Sequence, residues 1–139
     1  FLHRAFSVLM SLRFLAAKLH FEIMLFEKPG LNGKKELYRQ NLEKTMKISC
    51  SPVNYLVNID NYFYCARYIR AWMLEANIVN YMERNFGELW FESQNAGNEL
   101  LSWWSEGQKY NAEELSCMKG GLGLSTSVLI KNINEKLNN

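Results

Sequence analysis

The first 26 residues, FLHRAFSVLMSLRFLAAKLHFEIMLF, contain neither proline nor glycine, and this unbroken run constrains the fold more than any other part of the chain. Wound at about 100° per residue, it sets Arg4, Ser7, Ser11, Lys18 and Glu22 in one water-facing stripe. Leu2, Ala5, Phe6, Leu9, Ala16, Ile23 and Met24 gather largely on the other side. The pattern predicts a long amphipathic helix ending at EKPGLNG, where Pro29, Gly30 and Gly33 punctuate. Arg4, Arg13, Lys18, His20 and Glu22 fall at intervals that a hydrocarbon core tolerates only at high cost, which argues against a membrane span. A compact apolar region followed by a small-residue cleavage site is also missing, so the run does not read as a signal peptide. It opens at Phe1 inside a helical pattern with no capping residue before it, and we expect a fragment of a larger helical protein.

The rest of the chain keeps the helical period. Leu37, Tyr38, Leu42 and Met46 mark a helix over Lys34 to Ile48, with Glu36 and Lys44 toward water. Ser51 before Pro52 is an N-cap followed by proline at the first helical position, and predicts a short helix there. A central helix is expected from Asn61 to about Arg84. Cys65, Tyr68, Ile69, Trp72, Ala76 and Val79 form its apolar face, with Arg67, Arg70, Asn77, Asn80 and Arg84 mostly outside it. After a break at Gly87, Ser93 caps a helix through Glu106, Asn111 and Glu114 have capping-box spacing, and SVLIKNINEKL is a last helix. With no β-alternation and no internal repeat, the fold class is all-α: a multi-helix bundle with one long N-terminal and one long central helix, forming a single domain over residues 1–139.

At 139 residues such a domain buries roughly two thirds of its unfolded surface, enough for a core. Sixteen basic against fourteen acidic residues give a net charge of +2, which offers no field for nucleic acid or an anionic membrane. Cys50, Cys65 and Cys117 are an odd set without CxxC spacing, so neither a disulfide framework nor a thiolate metal site is indicated, and a reducing cytoplasm is expected.

Few residues stand out for chemistry. GGLG lacks the strand and the following basic residue of a phosphate cradle and reads as a connector. His3 and His20, with no HxxxH, do not build a zinc site alone, and no metal ligands are assigned in this chain. Arg13, His20 and Glu27, spaced seven apart, fall inside the apolar arc of the first helix. They therefore either pair with another helix, Glu75 being the obvious partner for Arg13 or His20, or line a wet cleft. Trp72, Trp90, Trp103 and Trp104 read as packing anchors rather than a stacking platform for bases, because no basic stripe accompanies them.

YFYCARYIRAWMLEANI, followed by ERNFGELWFESQNAGNELLSWWSEGQKYNAEEL, resembles the C-terminal helical region of gluzincin zinc metallopeptidases of the thimet oligopeptidase and oligoendopeptidase F superfamily, with carboxypeptidase Taq more distant. In that family a late helix opens with closely spaced tyrosines, the last of which donates a hydrogen bond to the tetrahedral intermediate. Tyr68 falls on that last tyrosine and Tyr64 is a shifted candidate for another, while Cys65 and Asn61 stand where further tyrosines would be, and the preceding glycine is missing. The resemblance implies a chain that is inactive alone. It would form the wall of a peptide-binding cleft, with Tyr68 as oxyanion donor and with Tyr64, Arg13 and His20 facing substrate. The HExxH helix and the zinc would belong to an upstream part of the parent, which is then the chain's partner, and self-association through uncovered apolar surface is among the outcomes this reading allows. The rival readings are a free-standing helical interaction module, in which Tyr68 is core, and a helical enzyme using His20 as base.

Overall fold

In the computed structural model, residues 2–27, 30, 32–119 and 123–138 are described, and every regular element among them is helical. Six α-helices follow one another among the described residues: α1 Leu2–Glu27, α2 Lys34–Met46, α3 Cys65–Phe86, α4 Gln94–Ser105, α5 Ala112–Met118 and α6 Thr126–Asn138. Short 3-10 turns occupy Pro52–Asn54, Asn61–Phe63 and Trp90–Glu92. The expected all-α, multi-helix class is what the chain adopts, and α1 and α3 are its two longest helices at 26 and 22 residues. Pro29 and the Gly120 to Leu122 part of the glycine turn lie outside the described residues.

Local signals place most helix ends. Ser51 accepts a hydrogen bond from the Val53 amide, Ser93 from the Ala96 amide, and Asn111 and Glu114 form a reciprocal capping box. Gly87, at φ 84°, ends α3 and donates its amide to the Glu83 carbonyl at 2.9 Å, a left-handed position that glycine takes without steric cost. Two ends differ from expectation. Lys47 turns left-handed and stops α2 at Met46 instead of Ile48, and α3 begins at Cys65 because the backbone kinks at Tyr62.

The chain divides into two compact units, Phe1–Ile69 with Glu135–Asn139, and Arg70–Asn134. In the first, α1 packs on α2 around Ala17, Phe21, Tyr38 and Leu42, with Phe14, Leu25, Met46, Cys50, Tyr55 and Ile59 against that cluster. The Phe21 and Tyr38 rings meet edge to face at 5.0 Å, and the Tyr38 hydroxyl accepts from the Asn58 amide at 2.6 Å. Lys34 is buried and donates to the Met24 carbonyl at 2.7 Å, satisfying an orphan acceptor in the last turn of α1.

The second unit is built on Met82, Ala96 and Trp103, with Ile78, Tyr81, Phe86, Trp90 and Leu100 packed on them. A single carboxylate oxygen of Glu99 accepts from the Tyr81 hydroxyl (3.0 Å), Trp103 Nε1 (2.9 Å) and Lys119 Nζ (3.3 Å). Asn77 donates to Ser116 Oγ and the Gly123 carbonyl, and Asn80 accepts from Asn132. These two asparagines, expected outside the packed face of α3, are instead its half-buried polar links to α5, the glycine turn and α6, because a short amide can satisfy neighbouring polar groups, the Gly123 carbonyl and the Ser116 and Asn132 side chains, that an aliphatic residue could not bond. Trp104, expected to anchor packing, is 70% exposed.

Candidate functional site

The most unusual chemistry lies in the first unit, where α1, the segment ending at Asp60 and the start of α3 meet. Glu22 was placed by its helical phase on the water-facing stripe, yet it is fully buried. One of its carboxylate oxygens accepts from the Asp60 amide at 2.8 Å, and the other from the Cys65 thiol at 3.4 Å. Lys18, one turn earlier, sits 2.6 Å from the Asp60 carboxylate and 3.9 Å from Glu22. The stripe is polar, but it turns inward at its end because the 58–60 segment and Cys65 bring donors to it; burial of a carboxylate is sustained only where such donors meet it.

The donor atoms of Glu22, Asp60 and Cys65 lie within 4.8 Å of one another, a spacing that three ligands of one metal ion would share. The charge balance favours a different arrangement. The Lys18 ammonium supplies the counter-cation, and burial, then the neighbouring Glu22, pushes the Cys65 thiol up to about 11. Cys65 is thus a protonated hydrogen-bond donor at neutral pH, unsuited to nucleophilic attack.

Between Asp60 and Cys65 the chain makes a tight aromatic turn. Tyr62 and Phe63 both adopt left-handed backbone, at φ 57° and 52°, a region that bulky residues seldom enter. Tyr62 is 94% exposed, and the Phe63 ring stands edge-on to Phe26 of α1 at 5.6 Å. Tyr64 and Tyr68 follow one turn apart on α3, edge to face at 5.4 Å, each about half exposed, and the Arg67 guanidinium lies over the Tyr64 ring at 5.3 Å. The result is an exposed aromatic surface carried on a buried charged cluster.

The structure brings Tyr64 and Tyr68 together and sets Arg13 and His20 to another task. Arg13 Nε donates to the Thr45 carbonyl at 2.6 Å, in the last turn of α2. Asn41 gives its amide nitrogen to the Ala17 carbonyl, so its oxygen accepts from His20 Nδ1 at 2.9 Å. No hydrogen bond, ion pair or ring contact joins Arg13 or His20 to either tyrosine among the described residues. Glu75, expected as their partner, is exposed: α2 already supplies acceptors to both residues within their own unit. Glu22, Asp60 and the strained turn escaped the sequence reading, since a Lys18 and Glu22 pair four apart on a polar stripe has the pattern of an ordinary surface ion pair. Comparison of the chain with protein-family models, curated proteins and solved structures finds no match.

Proposed function

We propose that this chain forms one wall of a peptide-binding cleft, as the C-terminal, non-metal-binding part of a zinc-dependent oligopeptidase-like protein in the cytoplasm. The observation that carries the reading is the state of Tyr68. It is 49% exposed, and its hydroxyl has no hydrogen-bond partner among the described residues, whereas the hydroxyls of Tyr38 and Tyr81 are bonded internally. A phenol placed this way is available to donate to the oxyanion that forms when water attacks a peptide carbonyl, and Tyr64 beside it offers an apolar edge to the substrate. Zinc, held by the upstream part of the parent, would activate that water. Among the described residues no helix is long and apolar enough to cross a membrane, and the three cysteines are free, which accords with a reducing compartment.

A second reading, a helical interaction module without catalysis, draws support from the exposed Phe26, Tyr62, Phe63, Tyr64 and Tyr68, which would dock a partner, or a second copy of the chain, through apolar contact. Metal content and peptide hydrolysis, measured on the longest product of the reading frame, separate the two. In an active parent, Tyr68→Phe lowers turnover by roughly a hundredfold with zinc content unchanged, the scale of losing one oxyanion donor. Undiminished turnover removes the role from Tyr68, and absence of both zinc and hydrolysis leaves the interaction module.

A further inference from the structure

We infer that Glu22 is a positioning residue: its carboxylate is a clip closed on both ends of the aromatic turn, and it holds Tyr62 and Phe63 in the left-handed backbone that presents their rings. The geometry is specific. One oxygen of Glu22 holds the amide of Asp60, the residue before the turn, and the other holds the side chain of Cys65, the residue after Tyr64. Lys18 tightens the first end by binding the Asp60 carboxylate at 2.6 Å. The Phe26 and Phe63 contact adds a tether, also to α1. Two consecutive bulky residues at positive φ relax toward ordinary backbone unless their surroundings over-determine them. Tyr62, 94% exposed, has almost no packing of its own to do so, and the restraint comes from the ends of the turn.

The clip also accounts for why a carboxylate is tolerated at a fully buried position of α1. Its two oxygens are satisfied from outside that helix, across 38 and 43 residues of sequence, and burial there commits Glu22 to the turn. The clip's link to recognition rests on the peptide-binding reading above; the clip itself does not.

The test is amide hydrogen exchange, read by mass spectrometry on the 139-residue chain with no peptide present, so that its outcome is independent of whether Tyr68 meets a substrate. Glu22→Leu removes both acceptors and keeps an apolar volume in their place. Exchange over residues 60–65 is expected to rise at least tenfold, with α2 and α4 unchanged. Adding Tyr62→Gly, which relieves the left-handed strain at an exposed position, is expected to slow that exchange by a larger factor in the Glu22→Leu chain than in the chain that keeps Glu22, because only the unclipped turn is free to relax; equal factors in the two backgrounds overturn the coupling between clip and strain. Should Glu22→Leu fail to fold, Cys65→Ala opens one end only and is expected to raise turn exchange about threefold. An unchanged turn, or an equal rise in α2 and α4, overturns the clip.

Discussion

Tyr62 is where conformational cost and solvent exposure coincide. Left-handed backbone costs an L-residue about 1–2 kcal/mol, while glycine adopts it freely but loses about 0.5–1 kcal/mol of chain entropy on ordering. With Tyr62 94% exposed, little packing is lost on its removal. Tyr62→Gly should therefore stabilise the protein by roughly 0.5–1 kcal/mol, read as a higher urea midpoint at unchanged slope. A lower midpoint would mean that the ring contributes more than its exposure allows. At this scale the sequence was a partial guide. Tyr68 could be assigned to the apolar side of its helix because phase is local, but its exposure depends on what covers that side. Glu22 was misplaced for the same reason: helical phase reports direction, and the donors that meet it arrive from Asp60 and Cys65.

Helices were legible in proportion to how locally their ends are specified. Ser51, Ser93 and the Asn111 and Glu114 pair each satisfy amides within three residues of themselves, and each is where its side-chain chemistry places it. The start of α3 was not legible, since the kink that delays it to Cys65 is fixed by contacts with α1 rather than by Asn61 or its neighbours. The seven-residue α5 is the element most dependent on its cap, because a helix this short gains little from propagation. Asn111→Ala removes the side-chain half of the box, leaving the residue-111 amide to Glu114, and should cost about 1 kcal/mol in urea denaturation, whereas Asn111→Ser keeps a capping oxygen and should lose little. Equal effects from both substitutions would show that α5 is held by its packing alone.

For the whole molecule, the titratable groups bracket a window of stability. In one unit, the Trp103 indole first, then the Tyr81 hydroxyl and Lys119, hold the Glu99 carboxyl below the usual carboxylate range. A lowered folded value means that this stability is present above about pH 4.3 and is lost as pH falls through it. In the other unit, Cys65 is raised to about 11 by burial and by Glu22, so the folded chain keeps a proton that the unfolded chain releases near pH 8.5. The unfolded state then binds fewer protons, and stability declines from about pH 8.5 until the folded thiol itself titrates. Tyr81, raised by burial and by Glu99, adds a decline of the same sign starting near pH 10. Urea midpoints followed by far-ultraviolet circular dichroism should accordingly be flat between about pH 5 and 8 and fall on both sides. Cys65→Ala provides the specific check, because alanine carries no proton to lose. Its midpoint is expected to be lower throughout but to fall less between pH 8.5 and 10, the difference in stability lost amounting to something on the order of 3 kcal/mol over the full titration to about pH 11. An alkaline limb as steep as that of the unsubstituted protein would mean that the thiol is not enclosed beside Glu22, and the closed end of the turn would have to be held by another group.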